Sequence, residues 1–394
     1  MENTSADSLA QELLEHCLAG SPYPERLLDD LLEGHHGRAL FRVVVERLAD
    51  LFEPHLCGVY ADLFSGVIAR RIPDLHAEHL LARYQRVRRS RKFDRDPAAI
   101  RNVFVLSRVT LGADVAITSV MLDAAQQKFP NAQVYFVGPR KAWELFAADP
   151  RLNHIAIAYG RGGTLDDRLS IWPSLRETIC QPASIVIDPD SRLTQLGLLP
   201  ICPEEDYYFF ESRSYGGDSD EPVSVLARRW VSETFGVAGA EPYIRTGLDA
   251  AEFATTVSFG VGENPAKRIP DPFEEELLAS LPRPVLIDKG AGGEEARRVE
   301  RAVARAGPGI AMWDGSFAGF AAHIQRSHLY VGYDSAGGHV AAASGIPMIC
   351  IFSGFASERM FQRWRPTGPG KISVLRSDQL SGTSLLTKAV IRLL

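Results

Sequence analysis

The sequence predicts an α/β protein in which an all-helical first quarter precedes two Rossmann-like halves. Short apolar strands alternate with amphipathic helices from residue 101 onward, which is the pattern of parallel sheets covered by helices. This alternation runs through two successive cycles, whereas the chain before it shows helical periodicity without strands. We therefore place three domains at residues 1–96, 97–247 and 248–394.

The first quarter is predicted to be a helical accessory domain. Leucines recur at helical spacing in 9–14 and 27–32, and the run 39–52 adds a third apolar face. His35-His36 lies in a glycine-flanked loop and is interpreted as a surface pair rather than a metal site, because no third ligand is evident. The quarter ends in RYQRVRRSRKFDR at 83–95, which indicates a solvated helix end with a linker or, alternatively, a patch for anionic lipid or an anionic acceptor.

The first α/β cycle begins with the strand NVFVLS at 102–107. A turn leads into an amphipathic helix that ends near residue 128, and the strand AQVYFVG follows at 132–138. Further strands are predicted at 154–158 and 184–190. A parallel sheet covered by helices accounts for this half.

The second cycle ends in YVGYDSAGGHVAAASGIPMICIFSG at 330–354, which is predicted to be a strand, a tight turn, a helix and a strand. The turn at 335–338 carries only small side chains, so a ligand can approach its backbone closely. The helix that follows directs amide N–H groups and the positive end of its dipole at that ligand. We expect an anion there, above all a phosphate.

Composition narrows the class of protein. The chain has 394 residues, of which 45% are hydrophobic and 23% charged, as in ordinary globular proteins. No apolar run is long enough to span a membrane and no signal peptide precedes the helices, so we expect a cytoplasmic protein. A net charge of −6 argues against nucleic acid as the main partner. Five scattered cysteines support neither a disulfide framework nor a zinc site.

Several motifs resemble those of glycosyltransferase family 9, the heptosyltransferase-like enzymes. DSAGGHVAAASGIP is similar to the family signature D-S-G-x-x-H-x-A-x-A-x-G-x-P, LGADVAITSVML resembles its N-terminal Gly-Asp segment, and GENPAKRIP resembles its Lys-Arg loop. The similarity covers about residues 101–380. The chain departs from the pattern where Ala113 separates Gly112 from Asp114, where Ser119 replaces a proline, and where Ala336 replaces a glycine.

The resemblance implies the GT-B fold, in which two Rossmann-like domains face each other across a cleft. It also implies metal-independent, inverting transfer of a sugar from a nucleoside diphosphate sugar, with ADP-heptose as one candidate donor, to a glycan, lipid-linked or other surface acceptor. Such a protein needs no resident cofactor. Peripheral contact with the inner face of the membrane is expected through the basic run 83–95.

The motif match assigns roles to individual residues. Asp114 is the candidate base for the acceptor hydroxyl, with a helix N-cap for 115–128 as the alternative. Glu294 is assigned to the nucleoside, although Glu295 and a purely helix-stabilising role remain open. The donor-binding candidates of the two signature loops are Lys267, Arg268, Asp334, Ser335, Ala336, Gly337, Gly338 and His339.

The acceptor-side candidates follow the strand that ends in Asp188-Pro189-Asp190. This triplet spells the D-x-D motif that other glycosyltransferases use for a metal, but it lies in the half that the family uses for the acceptor. We therefore predict no metal, and interpret Asp188, Ser191 and Arg192 as acceptor-side residues.

Two other functions remain open at this point. A GT-B sugar-nucleotide epimerase would form product from the donor alone. A catalytically silent relative would act as a binding scaffold through its helical domain, and Ala113 and Ala336 are the departures that favour it.

Overall fold

A computed structural model describes residues 2–33, 37–160, 164–262, 264–290, 292–380 and 382–394. It confirms the predicted order of helices first and two parallel sheets afterwards. The prediction for His35 and His36 lies outside the described residues.

The first quarter is helical, as predicted. Its helices are α1 (Glu2–Ala19), α2 (Glu25–Leu32), α3 (Gly37–Ala39), a π-helical segment (Leu40–Val45), α4 (Glu46–Asp50), α5 (Pro54–Arg71) and α6 (Ala77–Val87). Apolar residues of these helices share one buried core with the first sheet, in which Phe64 and Val45 join Phe104, Leu106 and Val186. The helical quarter therefore covers one face of that sheet.

The first sheet has five parallel strands in the order β3-β2-β1-β4-β5. They are β1 (Asn102–Leu106), β2 (Gln133–Gly138), β3 (Leu152–Ala156), β4 (Ser184–Asp188) and β5 (Tyr207–Phe209). Val103 of the central β1 pairs with Val134 on one side and Ile185 on the other. The connecting helices are α7 (Leu111–Ala113), a π-helical segment (Asp114–Thr118), α8 (Ser119–Lys128), α9 (Arg140–Trp143), α10 (Leu165–Leu169), α11 (Trp172–Ile179) and α12 (Val223–Phe235).

The second sheet has six parallel strands in the order β11-β10-β9-β6-β7-β8. They are β6 (Thr255–Ser258), β7 (Val285–Asp288), β8 (Ile310–Trp313), β9 (Leu329–Tyr333), β10 (Met348–Phe352) and β11 (Ile372–Arg376). Its helices are α13 (Phe273–Ser280), α14 (Gly293–Ala306), α15 (Phe317–Gln325), α16 (Ala336–Ala343), α17 (Glu358–Trp364) and α18 (Thr383–Ile391).

The two sheets meet where β1 and β9 end. Helix α16 packs against α7 and the π-helical segment that follows it. A Cβ atom built on Gly112 would lie only 3.3 Å from the Cα atom of Ala336, so the two backbones are in close contact. Val115 and Val340 belong to one apolar core that spans this junction. Among the helices described, none is both long and apolar enough to cross a membrane.

Candidate active site at the junction of the two sheets

The donor-side candidates Lys267 and Asp334 form an ion pair directly before α16. The Lys267 Nζ atom lies 2.7 Å from Asp334 Oδ2 and 3.1 Å from the Asp334 carbonyl oxygen. The lysine side chain is 17% exposed and the aspartate side chain 12%. The loop after β6 is thereby held beside the end of β9, which brings the two signature motifs together.

The predicted anion-binding turn is the N-terminus of α16. Ser335 occupies the N-cap position in an extended conformation, and its side chain makes no capping hydrogen bond. The Ser335 hydroxyl instead lies 3.3 Å from Tyr330 Oη. A Cβ atom on Gly337 would lie 2.5 Å from the same Tyr330 oxygen, so this position requires glycine. The helix start therefore presents backbone amides to the junction without a side-chain cap.

His339 lies between the two halves rather than on an open surface. It is 8% exposed, and its ring packs edge-on against Trp364 with 5.8 Å between centroids. A Cβ atom on Gly112 would lie 3.1 Å from His339 Cδ2. Burial lowers the pKa of His339, so the imidazole is neutral at pH 7. Its contact with a donor phosphate stays a prediction.

Asp114 is fully buried in the π-helical segment. Its carboxylate accepts hydrogen bonds from Ser107 Oγ at 2.8 Å, from the Arg108 amide at 2.8 Å and from Thr118 Oγ1 at 2.7 Å. Burial raises the pKa of Asp114 to about 6. The alternative of an N-cap is wrong, because the helix already begins at Leu111. The role of Asp114 as a base stays a prediction, and because the residue is 0% exposed, it requires neighbouring groups to move before an acceptor can reach it.

Asp188 and Ser191 are buried in the loop after β4. The Asp188 carboxylate accepts from the Ser191 amide at 2.7 Å, from Thr194 Oγ1 at 2.6 Å and from Tyr207 Oη at 2.5 Å. Ser191 Oγ donates to the Ser107 carbonyl at 2.5 Å. Both residues are 0% exposed, so these contacts give them a structural role. Acceptor contacts from either one stay a prediction.

Sequence reasoning named Asp190 and Arg192 but missed Arg108 and Arg213, which complete a charged cluster beside Asp114. The Asp190 carboxylate lies 3.0 Å from Arg213 Nε and 3.5 Å from Arg108 Nη1. Asp190 has φ +69° and Val109, in the loop after β1, has φ +66°, a strained conformation for a β-branched residue. Arg192 is half-buried and its guanidinium donates to no group in the described chain. No motif signals the contacts of Arg108 and Arg213 with Asp190, because they join different segments of the chain.

The remaining donor-side candidates point elsewhere. Arg268 forms ion pairs with Asp271 and with Glu274 rather than turning toward Asp334. The Glu294 side chain is 71% exposed and pairs with arginines of its own helix, Arg297 and Arg301.

Glu295, the alternative that the sequence left open, lies closer to the strand ends. A Cβ atom on Gly290 would lie 2.5 Å from its Cδ atom, and one on Gly260 would lie 3.3 Å from its Oε1 atom. Since Gly260 and Gly290 follow β6 and β7, Glu295 is the better placed acid of the two.

The basic run 83–95 is bound to the first Rossmann-like half. Arg86 pairs with Glu204 and Arg95 with Asp206 on the exposed side. The other contacts are Arg83 with the Gly197 carbonyl, Arg88 with Glu211, and Arg91 with the Glu204, Glu205 and Tyr207 carbonyls and the Tyr208 ring. Most of the positive side chains of the run are therefore engaged within the protein, which leaves few of them for the predicted contact with an anionic membrane.

The described residues contain no cluster of three or more His, Cys, Asp or Glu side chains that could hold a metal ion.

Comparison with known proteins identifies the fold. Neither a protein-family model nor a curated protein matches the chain. Among solved structures, the E. coli heptosyltransferase WaaC with ADP superposes with a TM-score of 0.57 at 16% identity, over 74% of this chain and 98% of that one. The glycosyl transferase family 9 protein from Veillonella parvula gives 0.53 at 16% identity, over 75% and 97%. E. coli ADP-heptose lps heptosyltransferase II gives 0.50 at 16%, over 74% and 98%.

These neighbours come from the family whose motifs the sequence resembles. The chain therefore has the GT-B fold, and its first quarter is helical. The predicted fold class is confirmed.

Proposed function

We propose that the protein is a glycosyltransferase. It transfers a sugar from a nucleoside diphosphate sugar, with inversion and without a metal ion, to a glycan, lipid-linked or other surface acceptor. ADP-heptose is the candidate donor, because the neighbour WaaC binds ADP and shares the fold.

The observation that carries this proposal is the Lys267–Asp334 pair at the start of α16. A departing diphosphate needs positive charge that is in place before the bond breaks. The Lys267 ammonium and the uncapped helix N-terminus together supply a cation and backbone N–H donors at one point. The Lys267 ammonium donates two of its three N–H groups to Asp334, which holds the lysine in place. The third N–H group remains for a ligand.

Asp114 is the proposed base on the acceptor side. A carboxylate with a pKa of about 6 is ionised at neutral pH and is still a useful proton acceptor. Arg108 donates its backbone amide to Asp114, and the positive charge of Arg192 lies near that of Arg108. These two arginines favour an acceptor that carries negative charge close to the reacting hydroxyl.

The test is thermal stabilisation of the full chain by a panel of nucleotides and nucleotide sugars, with and without a chelator. A donor present at 100 times its dissociation constant stabilises the folded state by about 2.7 kcal/mol. We expect a selective, chelator-insensitive shift with one nucleoside diphosphate, and loss of that shift in Lys267→Met. Equal melting temperatures with every nucleotide would contradict the proposal.

A catalytically silent GT-B scaffold is the second candidate. The close backbone contact of Gly112 with Ala336 favours it, because that contact occupies the place where the two halves face each other. Nucleotide binding without sugar transfer or donor hydrolysis would support this candidate. Under either function, peripheral membrane contact is a proposal that rests on the exposed Arg89 and Lys92.

A further inference from the structure

We propose that Phe52, which comes from the helical quarter, is a positioning residue of the donor site. Through Trp364 it holds His339 at the start of α16. This inference rests on the proposed function and extends it, because it makes the helical quarter part of the donor site.

Phe52 belongs to the helical quarter by sequence and to the Rossmann-like core by packing. It lies in the turn between α4 and α5, is 3% exposed, and packs in the apolar core that spans the two sheets. Its neighbours in sequence pack instead in the core of the helical quarter. The Phe52 side chain thus crosses from one structural unit into another.

Phe52 has a strained, left-handed backbone conformation at the point where its side chain enters the second core. Its φ angle is +57°, which bulky residues avoid because the side chain crowds the backbone. Strained residues of this kind persist where surrounding contacts hold them, and they concentrate at functional sites.

An aromatic chain leads from Phe52 to the candidate site. The Phe52 ring packs edge-on against Trp364 with 5.6 Å between centroids, and Trp364 packs edge-on against His339 at 5.8 Å. His339 in turn lies close to Gly112 across the junction, since a Cβ atom on Gly112 would be 3.1 Å from His339 Cδ2. Removing the Phe52 ring leaves Trp364 free to tilt away from His339.

Hydrogen bonds hold the same turn to both Rossmann-like halves. Arg359 of α17 donates through Nε to the Phe52 carbonyl and through Nη2 to the Gly217 carbonyl at 2.5 Å. Ser357 Oγ donates to the Leu51 carbonyl at 3.3 Å. One arginine of the second half therefore ties the helical turn to a loop of the first half, which places Phe52 at a three-way joint.

The experiment compares Phe52→Gly with Phe41→Ala in the full chain. Glycine removes the ring and accepts the positive φ without strain, so the variant is expected to fold. Phe41 is the matched control, because it is 2% exposed and packs edge-on against Phe64 at the same 5.6 Å, inside the helical quarter. The two readouts are the dissociation constant for ADP by calorimetry and amide hydrogen exchange of 336–343.

We expect Phe52→Gly to weaken ADP binding by about tenfold, the upper range for one aromatic pair, and to speed exchange in 336–343. Phe41→Ala is expected to lower the melting temperature and to leave both readouts unchanged.

Wild-type ADP affinity in Phe52→Gly would overturn the inference, and so would equal losses in the two variants. If the wild-type protein does not bind ADP but another nucleotide stabilises it, that nucleotide replaces ADP in the calorimetry; if no nucleotide binds, the proposed function fails. The exchange comparison still tests whether Phe52 positions α16.

Discussion

Asp188 is the last residue of β4 and Asp114 lies in the π-helical segment that follows the neighbouring β1; both carboxylates are buried, and burial raises the pKa of each to about 6. The unfolded value is about 3.9, so between pH 4 and 6 the folded state binds more protons than the unfolded state. Each of the two residues therefore lowers the free energy of unfolding by roughly 3 kcal/mol as the pH rises through this window.

We test this effect with Asp188→Asn, because Asp114 is the proposed base and Asp188 has no proposed role in proton transfer. The stability of the variant relative to wild type is expected to rise by roughly 3 kcal/mol between pH 4 and pH 7. Urea denaturation at each pH measures the difference. A difference that stays constant with pH would show that Asp188 keeps an ordinary pKa.

The Lys267–Asp334 pair allows a double-mutant cycle. Lys267→Met leaves a mostly buried carboxylate unpaired, so we expect a loss of roughly 2–4 kcal/mol of folding stability. Adding Asp334→Asn removes that charge and is expected to restore stability. ADP binding, measured by calorimetry, is expected to stay weak in the double variant, because the phosphate has lost its cation. Wild-type ADP affinity in the double variant would show that Lys267 only neutralises Asp334.

At the scale of elements, α16 contains two adjacent glycines with opposite surroundings. A Cβ atom on Gly337 would lie 2.5 Å from Tyr330 Oη, whereas one on Gly338 would meet Met348 Cε at an ordinary 3.4 Å. Gly337→Ala is expected to destabilise the protein by about 1–3 kcal/mol through overpacking. Gly338→Ala is expected to be neutral or to add up to about 1 kcal/mol through helix propensity. Thermal denaturation of the pair checks this, and equal changes would contradict the packing of α16 on β9.

The sequence predicts the central elements well, because their side chains carry the signal. The strand predicted at 102–107 is Asn102–Leu106, and that at 132–138 is Gln133–Gly138. Sequence reasoning missed β5, which has three residues, and β11, whose residues are all half-buried at the sheet edge. The strand β5 is buried throughout but too short to give a pattern, and β11 shows neither alternation nor continuous burial.

The parts of the site that belong to a sequence motif could be predicted. The contacts between residues that are far apart in sequence could not. The turn at Ser335 and the Lys267 loop come together as the motifs imply. The contacts of Arg108 with Ser212 and of Phe52 with Trp364 join positions about a hundred or more apart, which no local pattern encodes. The positive φ angle of Asp190 likewise follows from the folded loop rather than from residue type.

On the scale of the whole molecule, the helical quarter is held to the first sheet by two kinds of contact. Its apolar residues share a core with β1, β2 and β4. Its last helix and the basic run 83–95 then bind acidic side chains and carbonyls around β5, including the buried Glu211 that accepts from Tyr84 and Arg88. The sequence predicted an anionic partner for the run 83–95. Several of its arginines instead pair with acidic residues of the same chain.

We predict that residues 97–394 do not form a stable protein without this quarter. Phe104, Leu106 and Val186 would each lose burial worth roughly 1.5–3 kcal/mol, and more apolar neighbours would follow. This loss is comparable to the 5–15 kcal/mol that stabilises a typical domain. The truncated chain is expected to bind the dye ANS and to aggregate in size-exclusion chromatography.

The double variant Arg86→Ala/Arg95→Ala in the full chain removes two ion pairs and keeps the shared apolar core, so it distinguishes their contributions to stability. The two ion pairs are partly exposed and screened by water, so this variant is expected to keep the elution volume of the wild-type protein and a melting temperature close to wild type. If instead the truncated chain is monomeric and melts like wild type, the helical quarter is a separable module. Its shared core with the first sheet would then contribute little to stability, and a role in binding a separate partner would gain weight.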